Sequence, residues 1–268
     1  MNKLSKYLSL LKFSITKPKS GFEIIQSAKG ARDDSQHTIL NHQFSSQDLV
    51  GCLNTLFPDS RLTKEDLVNG TREVESHFKS FFDSIKNYES FSKDKPYPTD
   101  YSIQDNSKLF LYALCKITQP ELVVETGVAY GLSTSYILQA LHENKHGMLY
   151  SIDSVFRPWE TDMMIGSAIP DKLTNHWKLI RGSSKERLND LLESLGQIDI
   201  FLHDSMHTYK NMIFEFETSW SHIKNNGFLL SDDISENNSF LEFYTSHNVT
   251  PILLSSSEKK PDFGIIQK

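Results

Sequence analysis

The sequence predicts an α/β protein with a Rossmann-like, doubly wound sheet of seven mostly parallel strands, the last antiparallel, behind an N-terminal helical region. From about residue 103 onward, short apolar runs alternate with segments that have the period of helices. This alternation is typical of a parallel sheet with helices on both faces. Polar or acidic residues also follow five successive predicted strands. Because ligands of such sheets bind at the carboxyl ends of the strands, these residues are the candidates for function.

The N-terminal part of the chain is predicted to be helical. Residues 1–20 carry five lysines and no acid, and apolar residues recur at helical spacing from Leu4 to Leu11. The segment lacks the cleavage site of a signal peptide. Its helix can pack on its own domain, contact a second subunit or make a membrane-surface contact. Two further helices are predicted within 45–57 and 63–85, where Ser or Thr caps precede acids.

A connector that contains Pro and Tyr, at residues 93–102, separates two predicted units. Residues 1–95 are expected to form a substrate lid or an oligomer contact, and residues 96–268 to form the ligand-binding domain. The apolar runs predict strands at 121–125, 147–153, 177–181, 198–204, 227–233, 250–255 and 263–267. Helical spacing predicts helices at 103–117, 132–142, 184–195, 208–224 and 236–247.

Composition restricts the class of protein. With 268 residues, 38% hydrophobic and 23% charged, the chain is long enough to bury a core and has the balance of a globular protein. A net charge of −6 argues against a broad nucleic-acid interface. Cys52 and Cys115 lack metal-ligand spacing and fit a reducing, cytoplasmic location. No apolar run approaches the roughly 20 residues of a membrane span.

The turn after the first predicted strand of the sheet has the pattern E-x-G-x-x-x-G-x-S, formed by Glu125, Gly127, Gly131 and Ser133. It matches the dinucleotide fingerprint poorly, since Ala129 and a leucine replace two of the glycines. A glycine turn at a helix N-terminus offers backbone N–H groups to an anion, which can be a carboxylate. An acid before the turn suits an ammonium group. An amino-acid moiety carries both groups, and S-adenosylmethionine contains one.

The next two strand ends are candidates for the rest of such a ligand. Asp153 ends the second strand, about 25 residues after the turn, where an acid can bind both hydroxyls of a ribose. NAD and S-adenosylmethionine both contain that ribose, so Asp153 does not separate them. Gly182, Ser183 and Ser184 follow the third strand and can approach an adenine edge.

The fourth and fifth strand ends carry three acids, Asp204, Asp232 and Asp233, with His207 three residues after the first of them. In a parallel sheet these carboxylates converge, which is unfavourable unless a cation joins them. An all-oxygen ligand set suits Mg²⁺. His207, with a pKa in the useful range, can remove a proton from a metal-bound hydroxyl. His203 lies within the strand and is expected to be structural.

The motifs ETGVAYGLS, SID, RGSS, HDSMH and SDD, in this order, resemble the class I methyltransferases that depend on S-adenosylmethionine. More narrowly, they are similar to the cation-dependent O-methyltransferases, which include catechol O-methyltransferase and the macrolide-sugar and cephalosporin-related enzymes of bacteria. The resemblance covers about residues 97–268. For the cofactor, it implies contacts from Glu125, Gly127, Gly131, Ser133, Asp153 and Ser184. For Mg²⁺ and the general base, it implies Asp204, Asp232 and Asp233, and His207.

The resemblance implies Mg²⁺-dependent O-methylation of a hydroxyl group on a sugar or another small molecule. A substrate and a homo-oligomeric contact are the expected partners, and no nucleic acid is expected. Two other functions remain open at this stage. One is a non-catalytic scaffold that keeps the fold and binds a partner, and the other is a nicotinamide-dependent oxidoreductase, against which the missing third glycine counts.

Overall fold

A computed structural model describes residues 3–16, 18–85, 103–154, 164–255 and 261–268. Its centre is an eight-stranded sheet. The strands are β1 Ser46–Gln47, β2 Leu122–Thr126, β3 Met148–Asp153, β4 Trp177–Arg181, β5 Ile198–His203, β6 Ile223–Asp232, β7 Ile252–Leu254 and β8 Phe263–Gln267. The helices are α1 Lys3–Thr16, α2 Pro18–Asp34, α3 Leu49–Leu56, α4 Lys64–Ile85, α5 Asp105–Thr118, α6 Leu132–Asn144, α7 Ser184–Leu195, α8 Tyr209–Trp220 and α9 Ser239–Ser246, with a short 3₁₀ helix at Asp171–His176.

The strand order is β1-β7-β8-β6-β5-β2-β3-β4. β8 is antiparallel to both of its neighbours, and the other neighbouring pairs are parallel. The predicted doubly wound sheet with an antiparallel last strand is therefore confirmed. From β2 the chain continues outward to β3 and β4, and it then returns to place β5 on the other side of β2. The order of the strands therefore reverses between β2 and β5, whose carboxyl ends border one crevice.

Apolar side chains on alternate positions of the strands supply a core on each face of the sheet. Val123 of β2 and Leu202 of β5 belong to one buried cluster, whereas Val124 and Phe201 belong to another. Helices α3, α4, α5 and α6 contribute to the first cluster, and α7, α8 and α9 to the second. The central strands are thus held rigidly, and their carboxyl ends can position polar side chains.

Three local predictions differ from the structure. The helix predicted at 208–224 ends at Trp220, because Ile223 already begins β6, which is longer than predicted. The N-terminal segment forms two helices, since Pro18 begins α2 rather than continuing α1. The short strand β1, at Ser46–Gln47, falls within a segment predicted to be helical and pairs in parallel with β7.

The N-terminal helices share the core of the sheet domain. Leu67 and Phe78 of α4 lie in the same buried cluster as Phe110 of α5. The predicted connector at 93–102, with its domain boundary at residue 95, lies outside the described residues. In the described part of the chain, no helix is long and apolar enough to cross a bilayer.

Candidate active site

The turn between β2 and α6 packs closely against the end of β5. Gly127 has φ of 86° and its N–H donates to the Ile152 carbonyl at 2.9 Å. A side chain at Gly127 would overlap the Asp204 carbonyl oxygen. Gly131, with φ of 96°, is the N-cap of α6. Glycine at these two positions lets the chain reverse tightly beside the residues that follow β5.

Glu125 lies beneath this turn and is completely buried. The hydroxyl of Ser133 donates to its Oε1 at 2.7 Å, and those of Thr134 and Ser151 donate to its Oε2 at 2.8 Å each. Burial raises the pKa of Glu125 to about 7, although these hydroxyl donors favour the charged form. Glu125 and Ser133, both predicted to hold the cofactor, therefore bind each other in this structure.

Asp153, at the end of β3, binds the backbone of the same turn. Its Oδ2 accepts the N–H groups of Val128 and Ala129 at 2.8 Å each, and its Oδ1 accepts the N–H of Ser154 at 2.6 Å. Burial raises the pKa of this carboxyl group despite these donors. A carboxylate has about four acceptor sites, so Asp153 retains one for a ligand. Its placement joins β3 to the glycine turn.

Ser184 is the first residue of α7, whose N-cap is Ser183. Ser183 and Glu186 form a reciprocal capping box, which satisfies two backbone N–H groups at this helix start. The Ser184 hydroxyl is buried and lies 3.4 Å from Oδ1 of Asn211 in α8. The predicted adenine-side residue is therefore at the expected edge of the sheet, with its hydroxyl directed toward α8.

Asp204, His207 and Asp232 form a cluster where β5 and β6 end. One ligand atom of each residue lies within 4.8 Å of one ligand atom of the other two. Among the residues that the structure describes, Asp232 Oδ1 and His207 Nε2 are buried and have no hydrogen-bond partner. Such groups are costly to bury without a partner. The sequence-based expectation that these acids converge is met for Asp204 and Asp232.

Asp233 is directed to a different neighbour. It has φ of 52°, and its Oδ2 accepts a hydrogen bond from His207 Nδ1 at 3.0 Å. Nε2 of the same imidazole ring lies 3.9 Å from Asp204 Oδ1. The residue predicted as a third metal ligand thus orients the histidine, while the other ring nitrogen faces the carboxylate cluster.

Burial and the neighbouring acids raise the pKa values of Asp204 and Asp232 in this cluster. Burial, and then the neighbouring Asp233, raises the pKa of Asp232 to about 7. Burial and the nearby Asp232 raise the pKa of Asp204 well above its usual range. Burial opposes protonation of His207, but the hydrogen bond and charge of Asp233 raise the pKa of His207. An unpartnered, buried oxygen of Asp232 beside the carboxylate of Asp204 is an arrangement that a hard divalent cation would stabilise, so these residues fit Mg²⁺.

A buried polar network supports the cluster from below, and sequence reasoning did not identify most of it. His203 Nδ1 lies 2.6 Å from Oε2 of Glu215 in α8, and both side chains are fully buried. Ser205 and Asn211 also donate to Glu215, at 2.8 Å and 2.9 Å. Burial opposes ionisation of Glu215, but His203 and the side-chain donors lower its pKa to about 2. His203 is buried within β5 and is held there by Glu215.

The loop that carries His207 is held by two amide side chains. Asn211 Nδ2 donates to the Met206 carbonyl at 3.1 Å, and Asn237 Nδ2 donates to the His207 carbonyl at 3.2 Å. Asn211 belongs to α8, whose buried residues recur at helical spacing and include Glu215. An acid and an amide on the buried face of a predicted helix were the available signal for this network.

Comparison with known proteins agrees with this geometry. Residues 124–234, from β2 to just beyond β6, match the family described as a methyltransferase domain. No curated protein sequence matches the chain significantly. The matched segment contains the glycine turn, Asp153, Ser184 and the acids at the ends of β5 and β6.

Solved structures with a similar fold include O-methyltransferases. One from Bacillus cereus, in complex with SAH, has 13% identity and a TM-score of 0.54, and the alignment covers 81% of this chain and 97% of that chain. A putative O-methyltransferase from Klebsiella pneumoniae has 15% identity and a TM-score of 0.51, over 81% and 94%. TomG from Streptomyces achromogenes, in complex with SAM, has 13% identity and a TM-score of 0.50, over 81% and 95%.

Residues 124–234 thus match a methyltransferase domain, and the order of the strands agrees with the fold of the O-methyltransferase structures. The resemblance to class I methyltransferases is confirmed at the level of the matched domain and the fold. The matched domain supports the predicted methyltransferase, and the O-methyltransferase structures named above share its fold.

Proposed function

We propose that this protein transfers a methyl group from S-adenosylmethionine to a hydroxyl group of a sugar or another small molecule, and that the reaction depends on Mg²⁺. One observation carries the proposal. The unpartnered, buried atoms of Asp232 and His207 meet Asp204 directly beside the glycine turn, whose Gly127 packs against the Asp204 carbonyl group. A methyl donor bound at the glycine turn and a methyl acceptor bound at the acids would therefore be adjacent.

On the donor side, we assign the methionine end to the turn that runs from Gly127 to Ser133. The remaining acceptor site of Asp153 is available for a ribose hydroxyl, and Ser184 lies at the edge expected for the adenine. Glu125 supports the turn from beneath through its hydrogen bond with Ser133. Its negative charge would attract the ammonium group of S-adenosylmethionine at longer range. The complexes of two neighbours with SAH and with SAM support this choice of donor.

On the acceptor side, Asp204 and Asp232 would hold the metal, and Asp233 would orient His207. S-adenosylmethionine supplies an electrophilic methyl group, and Mg²⁺ lowers the pKa of a hydroxyl group that it binds. The chain itself must then accept the hydroxyl proton. Nε2 of His207 can do so when the ring is neutral, because Nδ1 donates its hydrogen to Asp233.

An alternative role for His207 follows from the same cluster. One ring nitrogen of His207 lies within 4.8 Å of a carboxylate oxygen of Asp204 and of Asp232, close enough for all three to bind one metal ion. A histidine nitrogen that binds the metal cannot also accept the proton. If His207 is a metal ligand, its substitution should weaken Mg²⁺ binding. If His207 is the general base, its substitution should leave the affinity for Mg²⁺ unchanged.

The chemistry of the acceptor is assigned by analogy and by the type of site. TomG takes part in tomaymycin synthesis, which supports a small-molecule acceptor. A hard cation held by these acids would favour an oxygen ligand, and so a hydroxyl acceptor, over nitrogen or carbon. Both described cysteines are free and buried, which supports the cytoplasmic location predicted from the sequence.

Calorimetric titration with S-adenosylmethionine and with NAD⁺ tests the donor. Binding of the first and not of the second supports the proposal, and the reverse result favours an oxidoreductase. If neither ligand binds, the scaffold interpretation replaces the enzyme. A methyl-transfer assay on sugar and phenolic hydroxyls, with and without Mg²⁺, then tests the acceptor class and the metal.

A further inference from the structure

The first two helices form an N-terminal hairpin, α1 with α2, that exposes large apolar side chains. Leu8, Leu11 and Ile15 recur at intervals of three and four on α1, and Phe22 and Ile25 are three apart on α2. Each of these five side chains is between 60% and 73% exposed. Residues at such spacing share one face of a helix, so each helix presents an apolar stripe to the surroundings.

The contacts of the hairpin explain why these stripes remain exposed. The two helices approach each other at Ser14 and Gly21, where a side chain at the glycine would overlap the serine. α2 contacts the catalytic domain through Gly30, which packs beside Thr208, and through Asp34, whose carboxylate accepts the Tyr209 N–H at 2.9 Å. The surfaces used for these contacts are therefore not the apolar stripes.

Positive charge is concentrated in the same segment. Residues 1–34, which end with α2, contain seven Lys or Arg residues and three acids, whereas the whole chain has a net charge of −6. Lys29 and Arg32 each lie seven residues after an apolar residue of the α2 stripe, Phe22 and Ile25 respectively, and both are exposed. A seven-residue spacing returns to nearly the same side of a helix, so cations extend the apolar face of α2.

We propose that the N-terminal hairpin binds an anionic membrane surface. Exposed Phe, Ile and Leu side chains would enter the headgroup boundary, and the Lys and Arg side chains would contact anionic headgroups. A second copy of the chain fits this face less well. In a two-fold contact the patch meets itself, which would bring the cations Lys29 and Arg32 of both copies into one interface without added acids.

Membrane binding would also position the active site. α2 ends at Asp34, which binds the backbone of Tyr209, two residues after His207. The hairpin and the acceptor side of the site are thus joined by a short, hydrogen-bonded connection. Docking of the hairpin would hold the catalytic edge of the sheet close to the bilayer.

Vesicle co-sedimentation of the full chain tests this proposal independently of methyl transfer. Vesicles of phosphatidylcholine alone are compared with vesicles that also contain phosphatidylglycerol, at low and at high ionic strength. We expect binding only to the anionic vesicles, and weaker binding at high ionic strength. The double variant F22S/I25S should lose at least about tenfold in binding, because it removes two inserting side chains. K29Q/R32Q should lose about fivefold for each charge removed.

Matched variants elsewhere on the surface control for general effects. V50S/V68S removes two apolar side chains that are 45% exposed on α3 and α4, and K79Q/K185Q removes two exposed charges. Both should bind vesicles like the parent protein. Absence of binding to anionic vesicles, or equal losses in the controls, would overturn the proposal. So would a dimer in light scattering that F22S/I25S converts to a monomer without any vesicle binding, since the face would then join two copies.

Discussion

The carboxylates in the two halves of the candidate active site differ in their hydrogen-bond partners. On the side of β2 and β3, Glu125 and Asp153 together accept six hydrogen bonds from hydroxyl and backbone N–H groups. On the side of β5 and β6, Asp232 has a buried oxygen without a partner among the described residues, and its nearest charged neighbours include other acids. The acids of the first half therefore already have hydrogen-bond donors in the chain itself.

This difference indicates what each half needs from its ligand. A carboxylate that already has donors can shape a turn and bind a neutral hydroxyl group with little rearrangement. Carboxylates that lack donors and repel one another gain most from a cation. We therefore expect substitutions on the two sides to change different measured quantities, and the following predictions test that separation.

The largest effect is expected from removal of the metal. Chelation with EDTA should abolish methyl transfer while S-adenosylmethionine still binds in calorimetry, because the donor half does not require the cation. Asp232→Asn should have the same effect on turnover and should remove stabilisation of the fold by Mg²⁺ in thermal melting. Asp190→Asn, which changes an exposed acid of α7, is the matched control. Full activity in excess chelator would refute the metal role.

His207→Ala should lower turnover by about 10²–10⁴-fold with little effect on donor affinity, the usual share of general acid–base catalysis. The rate of the parent enzyme should rise with pH as the imidazole loses its proton. Since Asp233 raises the pKa of His207, Asp233→Asn should move that inflection to lower pH. His146→Ala, at an exposed histidine, should change neither the rate nor the profile. An unchanged profile in His207→Ala would contradict the assignment.

Glu125 should make stability depend on pH. Its pKa is about 7 in the folded chain, against an ordinary value of 4.5. The folded state is thus favoured when this group is protonated, and the contribution is lost as pH rises from 4.5 through 7. Between about pH 5.5 and pH 8 the loss amounts to about 2 kcal/mol.

Chemical denaturation of the parent protein and of Glu125→Gln at these two pH values measures the contribution. The variant has no titrating group at this position, so its stability should fall less than that of the parent over the same interval. Equal pH dependence in both proteins would show that Glu125 is ionised throughout or titrates at its ordinary value.

Asp153→Ala should weaken S-adenosylmethionine binding by about 2–3 kcal/mol, because a charged acceptor is lost. The same change leaves the N–H groups of Val128 and Ala129 without their acceptor, so the glycine turn should also lose order. Hydrogen exchange of the turn separates the two contributions. Mg²⁺ affinity should be unchanged, and a matching loss of metal binding would contradict the separation of the two halves.

Much of the fold was predictable because buried parallel strands appear as apolar runs. Every strand from β2 to β8 lies at or near a predicted position, whereas β1 was missed. β1 consists of only two residues, Ser46 and Gln47, and both are polar, so no alternation of apolar and polar residues identifies it as a strand. The end of α8 was also misplaced, since Ile223 and Lys224 fit the spacing of a helix as well as that of a strand.

The candidate site was predictable as a set of positions but not as a set of contacts. Strand ends identified Asp204 and Asp232 because parallel strands bring their carboxyl ends together. The sequence could not show that Asp233 turns toward His207, since that depends on a backbone φ of 52° after β6. The sequence also could not show that His203 pairs with Glu215, twelve residues later, because that contact depends on how α8 packs over β5.

The short strand β1 has a consequence for handling this protein in solution. Its two residues cover part of the edge of β7, and α3 and α4 cover apolar side chains of the same core. A chain shortened to residues 96–268 would leave that edge and those side chains uncovered, even though it keeps the whole matched methyltransferase segment. Uncovered strand edges recruit strands from other molecules. Such a fragment should therefore aggregate when expressed, and the activity of the domain is best studied with the N-terminal helices attached.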